Sequence, residues 1–192
     1  MGKKVLITGA SGYIGGAIRA ELEVQGWNVF STSRLPNASL KMDFSDPSSI
    51  LNCCIDEGYF DLCVHVAASH EVDCMADPLE SMSTNVLGTA ALLELCVEKK
   101  IKRFIYISTF HVFGMNKGIL HEDVKPDPLN YYGLTHSLAE ESVFMYNRKD
   151  DIQCSVIRLP NILGAPLSWE SFNRWSLAPF DFCLQAAKSG SI

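Results

Sequence analysis

The sequence predicts an α/β fold, a parallel sheet doubly wound by helices. Three observations carry this. Short β-prone runs alternate with helical patterns as far as about residue 160. The first run, Val5-Leu6-Ile7, leads through glycines at 9, 12 and 15 into Ile14, Ile18 and Leu22 at four-residue steps, a strand–turn–helix unit. A hydrophobic content of 47% over 192 residues supplies one buried core and excludes a disordered chain.

Each element follows from local chemistry. Gly26 caps the first helix, and Trp27 to Thr32 alternates as a second strand, with Ser33-Arg34 just past its end. Ser39 to Met42 is a short third strand closed by Asp43. Asp46-Pro47 starts a helix, with Asp as N-cap and Pro in the first helical position. Asp61 to Ala68 forms a fourth strand. Asp77-Pro78-Leu79-Glu80 opens the longest helix, which runs to about Lys100 with Val86, Ala90, Leu93 and Val97 along one face. Arg103 to Ser108 is the fifth strand, residues 110–128 a long loop, 128–147 a helix, and Gln153 to Arg158 the sixth strand. From Asn161 the pattern changes. Gly164, Pro166 and Pro179 interrupt the chain, while Trp169, Phe172, Trp175, Phe180 and Phe182 crowd a short stretch. The expected division is a domain over 1–160 and the start of an incomplete lobe over 161–192.

Charge and cysteine content narrow the function. Net charge is −6, and the one dense basic patch, residues 98–103, falls at a helix end where cations complement the dipole. Nucleic-acid binding is not expected. Seven cysteines without a Cys-x-x-Cys pair read as reduced thiols, and no spacing matches a zinc site, so no metal is expected. The N-terminus resembles neither a signal peptide nor a myristoylation site, and no apolar stretch approaches the roughly 20 residues of a membrane span. A cytoplasmic protein is the expectation.

Ligands in this architecture bind beyond the carboxyl ends of the strands. The glycine turn after the first strand suits a dinucleotide. It can reverse tightly, admit a pyrophosphate to backbone N–H groups and let helix and strand pack closely. Ser33 is uncharged where NAD usually meets a carboxylate, and Arg34 suits a 2′-phosphate, so NADP is preferred to NAD; an idle exposed arginine is the plainer alternative. Asp43 fits either adenine recognition or a turn. Ala67 to His70, Ser108-Thr109 and Asn161 lie at other strand ends. Tyr132 stands four residues before His136 on one helix face. That spacing alone is also compatible with packing.

Together these residues resemble the extended branch of the short-chain dehydrogenase/reductase superfamily, which contains nucleotide-sugar epimerases, dehydratases and reductases on a Rossmann-type sheet. The resemblance rests on Thr8-Gly9-Ala10-Ser11-Gly12-Tyr13-Ile14-Gly15, His65-Val66-Ala67-Ala68, Asn85-Val86-Leu87-Gly88-Thr89, Ile107-Ser108-Thr109 through Phe113-Gly114, Tyr132, and Arg158-Leu159-Pro160-Asn161. It implies that Gly9, Gly12, Tyr13, Ile14 and Gly15 cradle the pyrophosphate, and that Arg34 meets the adenosine ribose phosphate, with Ser33 beside it among the cofactor-binding residues. Asp43 and Phe44 then flank adenine, Ala67, Ala68 and His70 line the nicotinamide side, and Ser108 counts among the cofactor-binding residues. Thr109 holds the substrate oxygen, Tyr132 is the acid/base, and Asn161 touches cofactor or substrate. The substrate implied is a nucleotide-sugar-like small molecule.

Two departures stand out. The family's Tyr-x-x-x-Lys is Tyr132-x-x-x-His136 here, and a histidine of ordinary pKa about 6.5 is mostly neutral at pH 7. Family members also carry a substrate lobe of which this sequence contains only the first pieces. The expectation is therefore an NAD(P)-dependent epimerase, dehydratase or reductase impaired by His136. The alternatives are a non-catalytic NADP-binding regulatory or scaffolding protein, and a fragment of a longer enzyme. A homodimer or a partner completing the lobe is open.

Overall fold

The computed structural model describes residues 2–34, 40–114, 118–167, 169, 172, 174–175 and 177–190. Its strands are β1 (Lys4–Thr8), β2 (Asn28–Ser33), β3 (Leu40–Lys41), β4 (Leu62–His65), β5 (Arg103–Thr109) and β6 (Gln153–Leu159). All pair in parallel, in the order β3-β2-β1-β4-β5-β6. This is the doubly wound order in which the chain reverses direction between β1 and β4, so the crevice for a ligand opens beyond their carboxyl ends. Of the third strand expected from Ser39, residue 39 lies outside the described residues.

The helices are α1 (Tyr13–Val24), α2 (Pro47–Leu51), α3 (Glu71–Ala76), α4 (Pro78–Met82), α5 (Gly88–Glu98), α6 (Tyr131–Arg148) and α7 (Ala178–Ser189). Leu6, Cys63, Phe104 and Tyr106 point into the larger core, which α5 and α6 close with Leu92, Leu95, Ala139 and Val143. Val5, Ile7 and Val64 point the other way, where Ile14, Ile18 and Leu22 of α1 cover them. The period of two along the strands thus places one helix layer on each face. On that second face Ile107 of β5 is still buried, while its register partner at the sheet edge, Ile157 of β6, is 43% exposed.

The expected long helix from Asp77 is interrupted. Asp77 caps α4 through Glu80 N–H at 2.9 Å, but Ser83–Leu87 widens into a π turn before α5 begins. The π turn carries Asn85, buried to 1% exposure. Its Oδ1 accepts from Ser69 N–H at 2.7 Å, and its Nδ2 donates to Thr135 Oγ1 at 2.9 Å. One side chain therefore ties the loop after β4 to α6. Single-turn π bulges recur at functional sites. Among the described residues, no helix is long and apolar enough to cross a membrane.

Candidate active site

The glycine turn is built by close backbone approach. Gly9 has φ +68°, and a Cβ there would lie 2.8 Å from Ala67 N. A Cβ on Gly15 would lie 2.7 Å from the Gly9 carbonyl carbon. Both glycines are required by packing of the turn on itself and on the β4 loop. Gly12 differs. Among the described residues a Cβ there would meet Gly9 O alone, at a tight 3.3 Å, so a side chain that the sequence omits would need a shift of only a few tenths of an ångström. Gly12 is also the N-cap of α1, with no side chain capping the helix. The bare helix end, with its first N–H groups and positive dipole, fits a pyrophosphate.

Beside it, His65 fixes the wall of the crevice. Thr89 Oγ1 donates to Asn85 O at 2.6 Å, so it accepts from His65 Nε2–H at 3.0 Å. His65 Nδ1 then accepts from Thr8 Oγ1 at 2.7 Å, and that oxygen takes the N–H groups of Val66 and Ala67 at 3.0 and 3.1 Å. Every donor in the chain has an acceptor, and the ring is neutral. Burial pushes its pKa down to about 3, with a smaller contribution from His136. The sequence motif His65-Val66-Ala67-Ala68 is thus a clamp that sets Ala67 against Gly9.

Thr109 ends β5, and its hydroxyl accepts from His111 N–H at 3.3 Å in a 3-10 turn, Phe110–Phe113. Asn130 caps α6 through Gly133 N–H at 2.8 Å. Gly133 lets the start of α6 close on that turn, since a Cβ there would lie 2.9 Å from the His111 carbonyl carbon. Tyr132 is thereby brought beside Thr109, with the His136 and His111 rings edge-on at 4.7 and 5.5 Å. Burial raises the Tyr132 phenol above its ordinary value of about 10, while Arg174 and the Thr109 hydroxyl pull it down.

His136 is buried, with Nδ1 bonded to the Tyr106 hydroxyl at 2.7 Å. Burial, with the His111 charge secondary, pushes its pKa down to about 4. At pH 7 it is wholly neutral, so the charge of a lysine is absent from this position. Its Nε2 is buried without a hydrogen-bond partner among the described residues. An orphan polar atom at this depth is costly unless a ligand satisfies it.

Several expected ligand residues are turned elsewhere. The Phe44 ring faces the core, stacked on His65 at 5.0 Å, and Gly88 at the start of α5 leaves room for it, since a Cβ there would lie 3.2 Å from the ring. Only the Phe44 backbone is left for adenine. His70 caps α3, accepting from Asp73 N–H at 3.3 Å and lying 3.4 Å from the Asp73 carboxylate, so its ring serves its own helix. Ser108 donates to Glu140 at 2.6 Å rather than facing the crevice. Asp43 Oδ1 accepts from Ser45 N–H and hydroxyl at 3.1 and 2.8 Å, which is the turn role. Ile14 packs against the β1 core cluster. Tyr13 donates to Gly164 O at 2.7 Å. Ser33 ends β2, paired in register with Lys41; Arg34 and Asn161 are exposed past their strands, and Ala68 is half-buried past β4.

Glu140 was not anticipated as part of this region. It is 1% exposed and takes Arg158 Nη2 at 2.7 Å and Nε at 3.0 Å, besides Ser108. Replacing Glu140 with alanine strands a mostly buried guanidinium, which costs about 3–5 kcal/mol. Urea unfolding should show that loss, and an unchanged midpoint would contradict it.

Comparison with known proteins agrees with this geometry. The model of the NAD dependent epimerase/dehydratase family matches residues 5–175. The chain is 26% identical over 173 residues to a UDP-glucose 4-epimerase of Lactobacillus helveticus, covering 84% of this chain and 52% of that enzyme. It superposes on MoeE5, solved with UDP-glucose and NAD, at a TM-score of 0.77 with 29% identity, over 97% of this chain and 62% of that one. RMD of Pseudomonas aeruginosa, solved with NADPH, gives 0.73 at 25% identity, over 88% and 57%. The chain spans about half the length of the curated relatives it matches. With the glycine turn, the His65 clamp and the Thr109–Tyr132 pair in place, the chain belongs to the NAD-dependent epimerase/dehydratase family, in the extended branch of the short-chain dehydrogenase/reductases.

Proposed function

We propose that the chain carries the cofactor-binding and proton-transfer machinery of an NAD(P)-dependent epimerase, dehydratase or reductase for a nucleotide sugar. The observation that carries this is the convergence of the bare glycine turn and the Thr109–Tyr132 pair at one sheet edge. Relatives named as UDP-glucose 4-epimerase, and MoeE5 with UDP-glucose, support the substrate class.

Gly9, Gly12 and Gly15 with the α1 N–H groups hold the pyrophosphate in this reading. Arg34, exposed just past β2, takes a 2′-phosphate, which favours NADP. Ala67 and Ala68 form the wall, and Asn161 lies at the far strand end. The orphan Nε2 of His136 meets a ribose hydroxyl as a neutral group. When bound, the nicotinamide supplies hydride exchange with a sugar carbon. Thr109 holds the oxygen on that carbon, and Tyr132 gives or takes its proton. A second copy, or a partner that completes the substrate side, belongs to the same proposal.

Thermal shift with NADP and with NAD tests the binding half, and stabilisation by neither would overturn it. Tyr132→Phe should retain cofactor binding and lose about a hundredfold or more of turnover on UDP-sugars. One observation favours a second reading, a binding protein without catalysis: His136 is neutral and burial holds the Tyr132 phenol up. Cofactor binding with turnover unaffected by Tyr132→Phe would select that reading.

A further inference from the structure

Tyr106 of β5 carries a hydroxyl into the larger core, where its side chain is 1% exposed. Its ring neighbours two imidazoles, His65 at 5.6 Å and His136 at 5.8 Å. His65 is taken at both nitrogens, by Thr8 and Thr89. The Tyr106 hydroxyl therefore pairs with His136 Nδ1, at 2.7 Å, its hydrogen-bond partner among the described residues. The other nitrogen of that ring is the exception of the core. Among the described residues, His136 Nε2 is the buried side-chain nitrogen or oxygen that lacks a partner. The ring that carries it meets Tyr132 edge-on at 4.7 Å.

A neutral imidazole has one proton, on either nitrogen, and the partner of one nitrogen decides the state of the other. With the proton on Nδ1, the ring donates to the Tyr106 oxygen. The phenol proton then has no acceptor, and the Nε2 lone pair has no donor, so two buried groups are unpaired. With the proton on Nε2, Tyr106 donates to Nδ1 and only Nε2–H is left over. One unpaired group costs less than two. We propose that Tyr106 is a positioning residue that locks His136 in the Nε2–H form, so that the fourth residue after Tyr132 offers a ligand an uncharged donor of fixed tautomer and ring orientation. The chemistry that suits such a donor is a hydroxyl oxygen, and its source as a cofactor ribose rests on the reading given under the proposed function. Burial agrees with this polarity. It pushes the Tyr106 phenol up and the His136 imidazole down, so both partners stay neutral across neutral pH.

Long-range proton–nitrogen NMR on the full chain with 15N-labelled histidine tests this without turnover, because it tells a protonated ring nitrogen from one with a lone pair. His136 is assigned among the five histidines by His136→Gln. At neutral pH the parent should show a protonated Nε2 and a lone pair on Nδ1. Tyr106→Phe keeps the buried ring and removes only the hydroxyl. It should move both nitrogens toward intermediate values and weaken NADP roughly threefold to tenfold. A mere loss of packing would lower the melting temperature without moving the tautomer. A parent with the proton on Nδ1 overturns the proposal. So does a Tyr106→Phe protein with the parent's nitrogen pattern, or one whose tautomer shifts while its NADP affinity does not. Failure of both NADP and NAD to bind the parent would instead remove the cofactor reading, and the nitrogen pattern of the free protein would be unaffected.

Discussion

Gly15→Ala is expected to abolish cofactor binding and to cost several kcal/mol of stability. The new Cβ would lie 2.7 Å from the Gly9 carbonyl carbon and 3.1 Å from Ala10 Cα. Both are backbone atoms that cannot rotate away. Relief requires α1 to lift off β1, which breaks the Gly12 N–H bond to Gly9 O at 3.0 Å and disturbs a turn already held at φ +68°. Overpacking a core side chain costs about 1–3 kcal/mol, and a backbone clash exceeds that. Gly12→Ala is the control. Its Cβ meets Gly9 O at 3.3 Å and no other described residue beyond its neighbours, so stability should fall by about 1 kcal/mol or less while NADP and NAD binding is lost. Urea unfolding and thermal shift with cofactor separate the two effects. A Gly15→Ala protein that binds like the parent would show that the turn is not packed as described.

The glycine turn and the sheet were legible because their signals are local. Periodicity placed all six strands within a few residues, and the alternation of strand and helix implied parallel pairing. What escaped was set by tertiary partners. His70 is an uncommon N-cap, so α3 left no sequence mark. The π turn exists because Asn85 is pulled toward Ser69 and Thr135, far from it in sequence. Phe180, Leu184 and Ala187 stand at helical spacing in α7, but the prolines and crowded aromatics of the stretch before it hid the helix, and no residue of α7 is buried. At the site, residue type identified Thr109 and Tyr132, but not which way a side chain turns. Phe44 and Ser108 stand at strand ends as expected, yet Phe44 stacks on His65 and Ser108 serves Glu140. His136 was readable as an uncharged replacement for lysine. That burial fixes it neutral well below its ordinary range required the fold.

That burial makes the protein acid-labile. His65 and His136 ionise near 3 and 4 in the fold, and near 6.5 when the chain is unfolded. For a base whose folded pKa is depressed, the unfolded chain takes the proton first. The stability is complete above about pH 6.5 and is lost as pH falls toward 4 for His136 and toward 3 for His65. Each ring should remove about 1.4 kcal/mol per pH unit through this window, on the order of 3–5 kcal/mol over its full extent. A domain of ordinary stability, about 5–15 kcal/mol, has little left after both. Between pH 6.5 and 5 unpaired carboxylates stay ionised, since they titrate near 4, so the slope there belongs to histidine. His65 should dominate in consequence as well as in size. A proton on Nδ1 removes the acceptor for Thr8, which holds the Val66 and Ala67 N–H groups, and the wall beside Gly9 loosens as the ring charges. Cofactor affinity should therefore fall together with the unfolding midpoint. Urea titrations from pH 7.5 to 5 check the slope, and His136→Gln should reduce it by about half. A midpoint independent of pH over that range would mean that neither ring is buried neutral.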